Sequence, residues 1–118
     1  MIHTRLSQTL PLFVFGTLRS GRENHHFLLG QFERMLPANL AGYARIEPLM
    51  IAPRPAGLVD GELYFLRVDE YDATLAGCDR LEGIPPGTLS GREYERKRVV
   101  VATSAGLYDA WAYVQTES

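Results

Sequence analysis

The sequence predicts one small domain that mixes β-strands with helices, and three observations carry that expectation. Residues 12–15, Leu-Phe-Val-Phe, form an unbroken β-favouring run, the pattern of a strand buried on both faces. Residues 69–81 repeat apolar positions at helical spacing and end against Gly83 and Pro85-Pro86, which stop a helix sharply. Residues 93–103 and 108–116 read as two strands joined by a turn at Ala105-Gly106.

The remaining elements follow in chain order. Residues 1–9 are polar and unpatterned and read as a flexible terminus, leaving 10–118 as a single domain. The first strand runs into a loop bracketed by Gly16 and Gly21. Asn24 is a good helix cap, and Phe27, Leu28, Phe32 and Met35 then give a helical stripe over 24–35, interrupted by Gly30. Residues 38–46 are ambiguous, and Pro48, Pro53 and Pro55 predict irregular or edge structure. Residues 58–66 alternate as a strand, with Gly61 as a candidate bulge. In the central helix Asp69 is placed to cap and Asp72 to favour the first turn. Residues 84–92 form a Pro/Gly/Ser loop, and no repeat or linker divides the chain.

Composition excludes several classes. At 118 residues, 46% hydrophobic and 22% charged, the chain has the balance of a globular domain. No apolar run approaches the roughly 20 residues of a membrane span. A single cysteine forbids an internal disulfide and predicts a reducing, cytoplasmic setting. The net charge of −2 gives no global attraction to nucleic acid. The charge is nonetheless uneven, with six Arg against three Glu over residues 1–59 and eleven acids against six bases over residues 60–118.

Few familiar catalytic signatures survive inspection. Gly16 and Gly21 have P-loop spacing, but Arg22-Glu23 follow where Lys and Ser/Thr are required. His25 and His26 are adjacent, make a poor metal set with His3, and read as surface histidines. Residues 87–91 place Ser90 one position late for a nucleophile elbow. Cys78 falls on the apolar side of the helix and reads as a small core residue.

Three features remain. Glu82 lies eleven residues after Tyr71, which returns it to within about 20° of the apolar stripe, while Asp79 and Arg80 are expected on the solvent side. Burial and the negative end of the helix would both raise the Glu82 pKa toward the range useful in acid–base catalysis. The alternative is a helix that frays at Leu81 and releases Glu82 into water. The second feature is the strand–Gly16-Thr17-Leu18 segment, where backbone N–H groups can converge on a carboxylate, with Thr17, Arg19 or Arg22 assisting. An ordinary glycine turn is the alternative. Third, strand alternation puts Tyr94, Arg96 and Arg98 on one face and Glu93, Glu95 and Lys97 on the other. That is the pattern of a salt-bridged surface, or more weakly of a basic face for nucleic acid.

Together these segments resemble the gamma-glutamylcyclotransferase-like family, which includes the gamma-glutamylamine cyclotransferases and the plant avirulence-induced-gene proteins. Residues 13–21 with Asn24-His25 are similar to the family's opening strand and Y-G-[ST]-L loop. Gly61-Glu62-Leu63-Tyr64 resembles its G-E-[LV]-Y strand, and Asp79-Arg80-Leu81-Glu82-Gly83 followed by Tyr94-Glu95-Arg96 resembles its L-D-x-L-E-G…Y-x-R segment. Phe15 stands where the family has a tyrosine, which removes a hydroxyl, and Cys78 stands where it has a leucine.

The resemblance implies an α+β fold built on a small, strongly curved β-barrel flanked by two or more helices. It implies Glu82 as the catalytic acid/base. It also implies a substrate site formed by Phe15, Gly16, Thr17, Leu18, Arg19 and Tyr94, in which the loop backbone holds the substrate's α-carboxylate. The implied reaction converts a small γ-glutamyl amine or amino acid to 5-oxoproline and a free amine. The substrate's own amine is the nucleophile, so no metal, nucleotide or other cofactor is required. A non-catalytic module binding a small carboxylate or a protein is the other reading. Tyr64, Tyr94, Trp111 and Tyr113 are candidates for a leaving-group pocket, although core packing explains strand aromatics more often than ligand contact does.

Overall fold

The computed structural model of the protein describes residues 9–16 and 18–116. The flexible terminus read over 1–9 therefore lies, apart from Thr9, outside the described residues, as does Thr17.

Among the described residues the chain forms five strands and one α-helix, where the resemblance implies two or more helices. Strand β1 (Leu12–Val14) is followed by a 3₁₀ turn at His25–Phe27. Strands β2 (Phe32–Glu47) and β3 (Met50–Leu66) make a long antiparallel hairpin. A 3₁₀ turn at Val68–Glu70 leads into helix α1 (Tyr71–Leu81), and β4 (Tyr94–Thr103) and β5 (Gly106–Gln115) make a second hairpin. The sheet curls until it closes in the order β1-β3-β2-β4-β5. Closure is narrow. The pairs Ala38↔Thr103 and Asn39↔Ala102 join β2 to β4, and Leu12↔Trp111 and Phe13↔Ala112 join β1 to β5 in parallel.

Strand alternation sorts the apolar residues onto two faces. Phe13, Leu63, Val99, Val101 and Ala112 point into the core enclosed by the sheet. Leu12, Val14, Tyr64 and Tyr113 point outward to a second core, covered by Tyr71, Leu75 and Cys78 of α1. β1 is thus buried on both sides, as its continuous apolar run predicts, and Cys78 is a buried core residue.

Several expectations are corrected by the structure. Residues 24–35 are not a helix: Gly30 takes φ 79°, and Phe32 already pairs with Leu66 in β2. The helix-like spacing of Phe32 and Met35 has a different origin. A bulge between Phe32 and Arg34 inserts an extra residue, so both side chains meet the outer core opposite Leu66 and Tyr64. Asp69 does not cap the helix; its carboxylate pairs with Arg67 (2.9 Å).

Pro53 and Pro55 lie within β3, beside a register shift between Ala41 and Tyr43. Gly61 is in register with Ala38 and forms no bulge. Its role is close approach, because a Cβ there would collide with the Val14 carbonyl oxygen and come within 2.8 Å of the Phe13 ring. Gly61→Ala is therefore expected to cost about 2–3 kcal/mol of stability, since backbone rather than a mobile side-chain end must move. Chemical denaturation of the two proteins measures it.

Candidate active site

The C-terminal end of α1 fixes the central carboxylate. Glu82 is the C-cap residue, and Gly83 follows with φ 77°. The Gly83 amide donates to Arg80 O (3.1 Å) and the Ile84 amide to Asp79 O (2.9 Å), the paired bonds of a Schellman turn. Ile84 is buried in the outer core, which anchors the turn. Glu82 is consequently held rather than frayed.

It borders a cavity of about 220 Å³. Phe13, Val14, Phe15, Leu18 and Tyr113 line it and are buried, forming a floor. Gly16, Asn24, Leu49, Leu81, Glu82 and Tyr94 are the other described residues of the lining. Burial pushes the Glu82 carboxyl up to about 7, and the negative charge of Asp79 adds to the effect. A group titrating there can both take and return a proton near neutral pH.

The cavity brings together Glu82, Phe15, Gly16, Leu18 and Tyr94 from the expected site residues. Arg19 is not part of the lining; its Nε donates to Gly16 O (3.2 Å) from outside. Arg22 lies beside Glu23 (3.6 Å). Arg45, which sequence reasoning overlooked, donates to Phe15 O (2.8 Å) and covers the Phe15 ring. Burial and the charges of Arg19 and Arg22 hold its guanidinium below the ordinary arginine value, so a positive field backs the glycine loop. The far end of the loop is tied to β3, because the Ser20 amide donates to Glu62 Oε1 (2.7 Å), which also accepts from Tyr64 OH (2.8 Å). His25 is half-buried against Phe32 and Tyr64, and its Nδ1 donates to Leu18 O (3.0 Å); His26 is exposed as expected, and His3 lies outside the described residues.

Asp79 is the main correction. It faces inward rather than to solvent: it accepts from Arg96 Nε (2.8 Å) and Tyr113 OH (2.6 Å), with both ion-pair side chains only 12% exposed. Arg96 in turn stacks on Trp111, 4.4 Å from the ring centroid. Arg96 is thereby engaged by the fold, while Arg98 pairs with Asp109 at the surface. Of the four aromatic candidates, Tyr94 and Tyr113 line the cavity, whereas Tyr64 and Trp111 pack in and against the outer core. Among the described residues no three His, Cys, Asp or Glu side chains gather as a metal set, and no helix is long and apolar enough to cross a membrane.

Comparison with known proteins covers nearly the whole chain. The model of a family described as "Gamma-glutamyl cyclotransferase, AIG2-like" matches residues 12–118. A Vibrio cholerae serotype O1 protein named "Putative gamma-glutamylcyclotransferase" is 35% identical over 112 residues, covering 91% of this chain and 83% of that protein. YkqA from Bacillus subtilis superposes with a TM-score of 0.70 at 22% identity, and the chain spans 92% of its own length but 36% of YkqA. At3g28950.1 from Arabidopsis thaliana gives 0.66 at 25% identity, with 90% of this chain and 61% of that one covered. PH0828 from Pyrococcus horikoshii gives 0.59 at 23% identity, covering 92% and 80%. These structural likenesses speak to the fold.

Proposed function

The chain belongs to the gamma-glutamyl cyclotransferase, AIG2-like family, and from that premise we propose that it converts a small γ-glutamyl amine or amino acid to 5-oxoproline and a free amine. The observation that carries the proposal is Glu82, the one carboxylate among the described lining residues, titrating at about 7 in a cavity it shares with the glycine loop.

In this reading the substrate's α-carboxylate lies against the loop at Gly16 and Leu18, backed by the positive field of Arg19 and Arg45. Glu82 takes a proton from the α-ammonium group. The freed amine attacks the γ-carbonyl, forming the ring C–N bond. The amide bond to the leaving group then breaks as Glu82 returns that proton to the departing nitrogen, and the second proton of the ring nitrogen passes through the same carboxylate to the released amine, which leaves as an ammonium. Because attack is intramolecular, proximity supplies much of the acceleration.

The test is 5-oxoproline release, followed by mass spectrometry, from γ-glutamyl amines, γ-glutamyl amino acids and glutathione. Release from at least one substrate, lost in Glu82→Gln, is the expected result. A Glu82→Gln protein as fast as wild type would overturn the assignment.

A further inference from the structure

Depth divides the cavity. Its floor is buried, whereas Leu49, 46% exposed, is the most open of its lining residues and marks the mouth. Leu49 sits in the turn between β2 and β3, a place where a hairpin is ordinarily free to move. Here the turn is tied on two sides. Arg45 donates to Pro48 O (2.9 Å) in the turn and to Phe15 O (2.8 Å) beside the glycine loop. Tyr94 OH donates to Leu49 O (3.0 Å) from β4. The turn therefore spans the mouth from the glycine loop to Tyr94, and Leu49 Cδ2 lies 3.4 Å from where a Cβ on Gly16 would stand.

We propose that Leu49, strapped over the mouth by Arg45 and Tyr94, determines leaving-group specificity and selects an uncharged, apolar amine over one bearing a carboxylate. The proposal rests on the γ-glutamyl reading above. In that reading the γ-glutamyl head, common to every substrate, occupies the space between Glu82 and the glycine loop. The leaving portion must then extend past the mouth. There it meets the Leu49 methyls and the Tyr94 ring, whose hydroxyl is committed to Leu49 O. Among the described residues no arginine or lysine is part of the cavity lining, and the Arg45 guanidinium at the mouth is already engaged by Pro48 O and Phe15 O. A carboxylate at that point would lose water without gaining a partner.

The experiment compares kcat/KM for γ-glutamyl-n-butylamine and γ-glutamylglycine in full-length wild type, Leu49→Ala and Leu49→Arg, with thermal melting to verify the fold. Wild type should favour the butylamine substrate by about tenfold or more, the scale set by contacts to a few methylenes. Leu49→Ala should erode that ratio, and Leu49→Arg should reverse it. Arg45→Met, which releases the turn without touching Leu49, should erode it too. A wild-type preference for γ-glutamylglycine, or ratios unchanged in the folded variants, would overturn the inference while leaving the reaction intact. Absence of wild-type turnover on any γ-glutamyl compound would instead remove the reaction on which the inference rests.

Discussion

Glu82→Gln should reduce turnover by on the order of 10³-fold, within the range expected for losing a positioned acid/base, while the protein still folds. The carboxamide has the same shape but cannot take the ammonium proton. In wild type the base form is required, so kcat/KM should rise with pH through about 7, the value to which burial lifts Glu82. Stability should move the opposite way. The folded-state value lies above the ordinary 4.5, so the stabilising contribution of the protonated carboxyl is complete below that value and is lost as pH climbs through about 7. Glu82→Gln removes this titration. The variant should therefore gain on wild type across that window, by about 1–2 kcal/mol after discounting for solvent at the cavity mouth. Paired melting curves at pH 5 and pH 8 test it, and equal differences at both would contradict a raised Glu82.

Local pattern made some of this architecture legible. The eleven-residue interval from Tyr71 to Glu82 is helical geometry, and Gly83 with its proline successors marks the turn that holds the carboxylate inward. The run of 12–15 likewise encodes a strand with a core on each face. Other features depend on partners distant in sequence. Phe32 and Met35 imitate helix spacing because a bulge does to a strand what 3.6-residue periodicity does to a helix. Asp79 reads as a solvent residue on the helix wheel. Its burial depends on Arg96 and Tyr113, 17 and 34 residues away, which can neutralise and bond it only once β4 and β5 lie beneath α1. The alternation that placed Arg96 on the Tyr94 face was the one available signal. Leu49 and Arg45 were hidden for a similar reason: three prolines suggested irregular chain, whereas the segment is a hairpin whose tip is tied over the cavity.

The Asp79–Arg96 pair should carry the second large effect. Arg96→Met leaves the Asp79 carboxylate buried with Tyr113 OH as its remaining side-chain donor, and breaking such a pair typically costs about 3–5 kcal/mol. That is a substantial share of the 5–15 kcal/mol expected for a domain. The substitution also removes the charge that offsets Asp79, whose field already raises Glu82, so the rising limb of the activity profile should shift to higher pH. Asp79→Asn has the reverse electrostatic consequence. Its amide oxygen can still accept from Tyr113 OH, but the negative charge is gone and Arg96 stays cationic. Glu82 should then ionise more easily, and the limb should shift to lower pH. Both variants lose stability, yet their pH profiles separate in opposite directions. A pair that only braced the helix against the sheet would lower melting temperatures in both and leave the limb where it stands in wild type. Measuring kcat/KM against pH for the two variants, below their melting temperatures, decides whether Asp79 and Arg96 position the charge of Glu82 or merely the end of its helix.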